Sequence, residues 1–142
     1  MVVRAVPAAQ DEPRMSTRTI LVINAGASTL ALIRAALAPD GYAVLDAAGG
    51  QPALDAMRAH RPDLVLQDLG HRGEDGVALL PQLRALPGGS ALSVIALLGS
   101  LAEWEPDEIA RADFTDYLVK PLDPSRLRQT IRTHLRRDPA PS

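Results

Sequence analysis

An acid and a lysine stand at matching places in this chain. Asp68 ends the run Leu64-Val65-Leu66-Gln67-Asp68, and Lys120 ends Tyr117-Leu118-Val119-Lys120. Each closes a short, largely apolar stretch with strand character, and each is followed by a chain-turning residue, Gly70 or Pro121. If both runs belong to one parallel sheet, the two groups reach the same rim, where ligands of such sheets bind. A carboxylate beside an ammonium can attack phosphorus there, provided a metal neutralises the incoming phosphoryl group. The same two residues also suit an ion pair that only ties two loops together. The pair alone weighs the two readings evenly.

The elements that must position this pair are legible as apolar runs alternating with helical patterns. Strands are expected at Ile20–Ile23, Tyr42–Leu45, Leu64–Leu66, Leu92–Leu98 and Tyr117–Val119. Helices are expected from about Ser28 to Leu37, Pro52 to His60, Gly76 to Leu86, around Pro106–Ala112, and from Pro124 to Arg137. Five strand–helix units in a row predict an α/β doubly wound parallel sheet with helices on both faces. Its strand-end residues are Asn24-Ala25, Ala47-Ala48, Asp68, Leu98-Gly99 and Lys120-Pro121. Pro81 should disturb the first turn of the third helix, and Pro106 should delay the start of the fourth.

In the last helix Asp123 is the expected cap, with Leu127, Ile131 and Leu135 facing the core. Arg126, Arg128, Arg132, Arg136 and Arg137 then form either a solvated face that complements the helix dipole or a partner surface. Trp104 is either a core cover or an exposed anchor.

Composition narrows the possibilities. The 142 residues make one domain with a sizeable core, and 46% apolar with 23% charged residues is a globular, soluble balance. A net charge of -2 and 3% aromatic residues give neither a global pull on nucleic acid nor a stacking platform. With no cysteine, disulfides and thiolate metal sites are excluded. No apolar run is long enough to span a bilayer and no signal peptide opens the chain, so no membrane partner and a cytoplasmic home are expected. Residues 1–18 and 138–142, rich in proline and mixed charge, read as flexible tails around one domain at 19–137. Met15 resembles a start of its own, which would make residues 1–14 an extension.

Arg61-Pro62-Asp63-Leu64-Val65-Leu66-Gln67-Asp68, Asp75-Gly76, Asp116-Tyr117-Leu118-Val119-Lys120-Pro121 and the earlier Gly41-Tyr42-Ala43-Val44 closely resemble the receiver domain of bacterial two-component response regulators, the CheY-like family. The resemblance covers about Thr19 to Arg137. It implies the flavodoxin-like strand order 2-1-3-4-5, signalling and not enzymatic work, Asp68 as acceptor of a phosphoryl group from a histidine kinase, and Lys120 as the counter-charge to that group. It also implies a cis bond at Lys120-Pro121, Tyr117 as the switch aromatic, and a partner or homodimer surface on the fourth helix, fifth strand and fifth helix.

Four departures stand against that pattern. The family places two acids after the first strand to hold a divalent cation; Asn24-Ala25 stand there. Magnesium wants hard oxygen ligands in a near-octahedral shell, so one carboxamide is a poor substitute. Leu98 replaces the hydroxyl residue that bonds to the phosphoryl group, and a leucine makes no such bond. Arg72 replaces a usual proline, and Asp113 a turn glycine.

The reading is an atypical receiver, signalling by protein contacts, with no cofactor and weak or absent Mg²⁺. Asp68 is expected to pair with Lys120, or with His71 or Arg72. The rivals are a functional phosphoacceptor and a small-molecule sensor using the space beside Ala25. A cobalamin loop fails because His71 lies one residue too far from Asp68. A dinucleotide fingerprint fails for want of glycines at Gly26, and Gly70 stands where a haloacid-dehalogenase-type phosphatase needs its second acid.

Overall fold

The computed structural model describes residues 17–70, 74–100 and 104–137. Most of the expected tails, together with His71 and Arg72, lie outside them. The elements are β1 (Thr19–Ile23), α1 (Ala27–Leu37), β2 (Ala43–Ala47), α2 (Gly50–His60), β3 (Leu64–Gly70), α3 (Glu74–Arg84), β4 (Ser93–Leu98), α4 (Pro106–Arg111), β5 (Asp116–Val119) and α5 (Pro124–Arg137). The five strands form one sheet in the order β2-β1-β3-β4-β5, and every pairing is parallel.

Period-two alternation divides the apolar residues between two helical layers. Leu21, Ile23, Val65, Val94, Ala96 and Leu98 join Leu54 and Met57 of α2, Leu80 and Leu83 of α3 and Ile109 of α4 in one cluster. Ile20, Val22, Leu64, Leu66, Ile95 and Leu97 join Ile33 and Leu37 of α1 and Leu127, Ile131 and Leu135 of α5 in the other. All six residues of β4 are buried, as a central strand covered on both faces requires. Trp104 belongs to the first cluster at 3% exposure, so it covers the core and does not project as an anchor.

Element ends depart from expectation in instructive ways. β3 continues to Gly70, with a register irregularity between Asp68 and Gly70. α2 begins at Gly50, which places Pro52 within its first turn and not at its opening. α4 begins at Pro106, as expected, behind a capping box formed by Glu105 and Glu108. Asp123 occupies the cap position of α5, its carbonyl accepting from the Leu127 N–H at 2.9 Å. The carbonyl of Arg18, assigned above to the N-terminal extension, accepts from the Ala43 N–H at 2.9 Å and so lengthens the sheet edge.

Pro81 corrects an expectation. α3 starts at Glu74, so the proline lies well inside the helix, and the helix runs past it to Arg84. An interior proline costs about 3 kcal/mol. Leu79, Leu80 and Leu83 around it are buried, and each contributes about 1.5–3 kcal/mol. The burial outweighs the lost backbone bond, and exposed Pro81 faces water.

The turn at Asp113 also has a visible compensation. Asp113 adopts φ 77, the left-handed region that favours glycine. Arg84, at the end of α3, donates from Nη2 to the Asp113 carbonyl at 2.7 Å. Its Nε lies 3.2 Å from Asp113 Oδ2, within ion-pair reach although not aligned for a hydrogen bond. Nη1 of the same guanidinium donates to the carbonyls of Gly89 and Leu92. One half-buried arginine thereby joins three segments of chain. Arg84→Ala should lower the unfolding free energy by about 2–3 kcal/mol, because several carbonyls lose their donor together. Urea denaturation followed by circular dichroism measures this, and a loss under about 0.5 kcal/mol would deny the arginine that role.

Candidate functional site

β3 is the middle strand, so its carboxyl end lies at the centre of the sheet's rim. Asp68 stands there at 5% exposure. Lys120 follows β5, two strands away, and its backbone N–H donates to the Leu98 carbonyl at 2.8 Å, which continues the β5 pairing beyond Val119. From that anchor the long lysine side chain crosses β4. Its Nζ donates to Asp68 Oδ2 at 2.7 Å. A buried carboxylate without such a partner would cost several kcal/mol, so the contact is an electrostatic requirement of the site as well as a geometric one. The Lys120-Pro121 peptide bond is cis, as the resemblance implied.

The other rim residues can be placed from the register. Ile23 pairs with Gln67, so Asn24 comes next to the level of Asp68. Asn24 is exposed, with φ 65, a conformation asparagine tolerates better than most residues, and its N–H donates to the Ala47 carbonyl at 2.8 Å. Ala25 is half-buried against the α1–α5 cluster. Leu98, fully buried, is spent on the core of the α2–α3–α4 face. Tyr117 is half-buried and packs against the same cluster.

The strand-end positions Asn24, Ala25, Asp68 and Leu98 thus bring one carboxylate and one carboxamide oxygen to the rim. No group of three or more His, Cys, Asp or Glu residues able to hold a metal occurs among the described residues. Magnesium usually relies on carboxylates, and here one oxygen of the single acid is already engaged by Lys120. What the arrangement provides is a buried carboxylate, an ammonium beside it and a fully buried leucine on the strand between them.

One polar residue escaped the sequence reading. His134 of α5 is 5% exposed, and its Nε2 lies 3.0 Å from Asp116 Oδ2. The other oxygen, Oδ1, accepts from the Tyr117 N–H at 2.8 Å. The signal was available: position 134 falls on the stripe traced by Leu127, Ile131 and Leu135 at helical spacing. A separate polar cluster lies at the opposite end of the sheet. Tyr42 is raised above the ordinary phenol value, first by burial and then by the Asp40 carboxylate.

Lys120→Met should expose how much the pair matters. It leaves the Asp68 carboxylate buried without a counter-charge and should cost about 2 kcal/mol, below the full buried-pair range because the lysine is 29% exposed. Adding Asp68→Asn to the same chain should restore about half of that. Chemical denaturation of the single and double variants decides it; additive losses would mean that the two groups do not depend on each other.

The comparisons with known proteins agree with this geometry. The response regulator receiver domain model matches residues 20–132. An uncharacterised 14.6 kDa protein of Leptolyngbya boryana is 32% identical over 115 residues, covering 81% of this chain and 88% of its own length. The transcriptional regulatory protein ZraR of Salmonella typhimurium is 34% identical over 82% of this chain, which spans only 26% of that protein. The receiver domain of sensor histidine kinase PA1611 from Pseudomonas aeruginosa PAO1, solved with a magnesium ion coordinated in its active-site cleft, superposes with a TM-score of 0.73 at 25% identity, covering 84% of this chain and 98% of that domain. Sheet order, the acid and lysine on one rim, and these matches lead to one conclusion: the chain belongs to the receiver domain family of two-component response regulators.

Proposed function

We propose that this receiver domain conveys its signal through protein contacts, with magnesium-assisted phosphotransfer to Asp68 impaired or lost. The observation that carries the reading is the composition of the rim: Lys120 at 2.7 Å is the charged partner of Asp68, while Asn24 and Ala25 supply no carboxylate. In a phosphotransfer step, an Asp68 oxygen forms a bond to phosphorus as the donor's bond to phosphorus breaks, and the electron pair leaves with the donor. Negative charge then accumulates on the phosphoryl oxygens. Lys120 answers part of it. A neutral carboxamide and an alanine bring no cation to the rest, and Leu98 brings no hydroxyl donor.

A histidine kinase or another phosphorelay protein is the expected partner, as in the family at large. A second contact is proposed along the β5 edge. A cavity of about 270 Å³ there is bordered by Tyr117, Val119, Pro121 and Arg126, among others. Exposed Asp107 on α4 and exposed Arg126 on α5 offer opposite charges for a two-fold pairing of copies. The reading includes no catalysis of a substrate's turnover and no resident cofactor.

Intact-mass measurement after incubation with acetyl phosphate and Mg²⁺ tests the proposal. Little or no phosphoryl adduct is expected. A stoichiometric adduct that vanishes in Asp68→Asn would overturn the reading in favour of a working phosphoacceptor.

The converse experiment restores what is missing. Ala25→Asp combined with Leu98→Thr should raise Mg²⁺ affinity and acyl-phosphate yield by about tenfold or more, the equivalent of roughly 1.4 kcal/mol. The leucine change removes buried apolar volume and should itself cost about 2–3 kcal/mol of stability, so folding is checked in parallel by thermal melting. A folded double variant that gains in neither respect would show that other groups limit the chemistry.

A further inference from the structure

Asp68 occupies the carboxyl end of the sheet, and a different feature occupies the other end. α2 and α3 return antiparallel to the strands, so their last turns lie away from Asp68. Between the end of α2 and the segment that follows α3 is a cavity of about 220 Å³ lined by Met57, Arg58, Arg61, Leu86 and Pro87. Its apolar side is formed by buried Met57, half-buried Leu86 and exposed Pro87. Its charged side consists of two exposed guanidiniums.

Among the described residues neither arginine is held by a strong partner. Arg58 approaches Asp55 at 3.7 Å, with both side chains more than half exposed, and such a pair holds weakly. The Arg61 side chain has no hydrogen-bond or ionic partner among the described residues. The backbone beneath it, by contrast, is secured. The Arg61 N–H donates to the Met57 carbonyl at 3.0 Å, and the Asp63 N–H donates to the Thr19 carbonyl at 2.8 Å. The Thr19 N–H donates in turn to Asp63 Oδ2 at 2.7 Å. The rim is therefore positioned before anything binds, which lowers the ordering cost of an association. Complementing the dipole at the end of α2 accounts for the charge of both arginines. It does not account for an apolar hollow beside them.

We propose that this groove docks a partner protein through a short acidic segment carrying one aliphatic side chain. The aliphatic group fills the hollow against Met57, Leu86 and Pro87, and carboxylates on either side pair with Arg58 and Arg61. Guanidinium forks match carboxylates bidentately, and methionine adapts to apolar groups of different shape. The complementarity is local, since the chain as a whole carries a net charge of -2. A nucleic acid would supply anions as well, but the hollow has no aromatic ring on which a base could stack. The groove is separate from the Asp68 rim, so the inference stands whether or not Asp68 is phosphorylated.

The probe is the peptide Ac-Gly-Asp-Glu-Leu-Asp-Glu-Gly-NH2, titrated into the 142-residue chain carrying ¹³C-methyl methionine and ¹⁵N-arginine, with resonances read by NMR. Saturable shifts are expected at the Met57 methyl and the Arg58 and Arg61 side chains. Raising salt from about 50 to 300 mM should weaken binding at least about fivefold, as should replacing the peptide's leucine with serine. Arg58→Ala with Arg61→Ala should weaken it by a similar factor; both residues are exposed, and a melting curve checks that the variant folds. The proposal is overturned if the double variant binds equally well, or if a peptide with lysines in place of the acids matches the acidic one. It is equally overturned if the shifts fall outside this groove, or if a single-stranded oligonucleotide produces them at lower concentration.

Discussion

A carboxylate at 5% exposure, on the central strand of an aliphatic sheet, persists only with a counter-charge in reach, and this constraint organises the upper rim. The partner cannot come from β4, whose residues are all buried and apolar apart from Ser93 at the far end. It comes from β5, one strand further on, and only a side chain of lysine's length can arrive from there. The strand order is thus a condition of this pairing, because placing β5 elsewhere would take the Lys120 ammonium away from Asp68.

Leu98 shows how a position close to the rim can be given over to packing. It sits on β4 between the strands that carry Asp68 and Lys120, and it is fully buried in the cluster shared with α2, α3 and α4. A leucine in that setting contributes about 1.5–3 kcal/mol to the core. A hydroxyl residue would contribute less burial and would need a partner of its own. With few aromatic residues available, the core depends on such aliphatic positions, and the side chain that favours stability here is one that cannot take part in phosphoryl chemistry.

The fold was legible because its signals are short-range. Runs such as Val94–Leu98 and helical stripes such as Leu127, Ile131 and Leu135 declare their period, and five alternations leave little freedom of class. Asp68 and Lys120 were legible as a pair because both end apolar runs. The misjudged or unseen features depend on distant partners. Pro81 read as a disturbance until the burial of its neighbouring leucines could be weighed against the missing hydrogen bond. The tolerance of Asp113 for a left-handed turn rests on Arg84, 29 residues away in sequence. His134 pairs with Asp116 across an interface between helix and strand that no local pattern announces. The groove at Arg58 and Arg61 arises only when the end of α2 meets the segment that follows α3.

The parallel architecture separates these features by polarity. Every strand points its carboxyl end to one side, so any chemistry built on strand ends collects there, and the returning helices carry their own carboxyl ends to the opposite side. The two sides therefore answer to different physics. At the strand ends, positions are held by a hydrogen-bonded ladder and by a charge pair that leaves little slack. At the helix ends, exposed arginines compensate unpaired carbonyls and stay available to solvent or to a partner. α3 spans both sides: it begins just beyond the acid-bearing strand, and its last residue, Arg84, clasps the turn before β5. Its buried leucines lock it to the same cluster that holds Leu98. A displacement of the acid-bearing strand end would thus meet the packing of α3 before it reached the far groove, which makes the resistance of that core, and not distance alone, the quantity that sets any communication between the two ends.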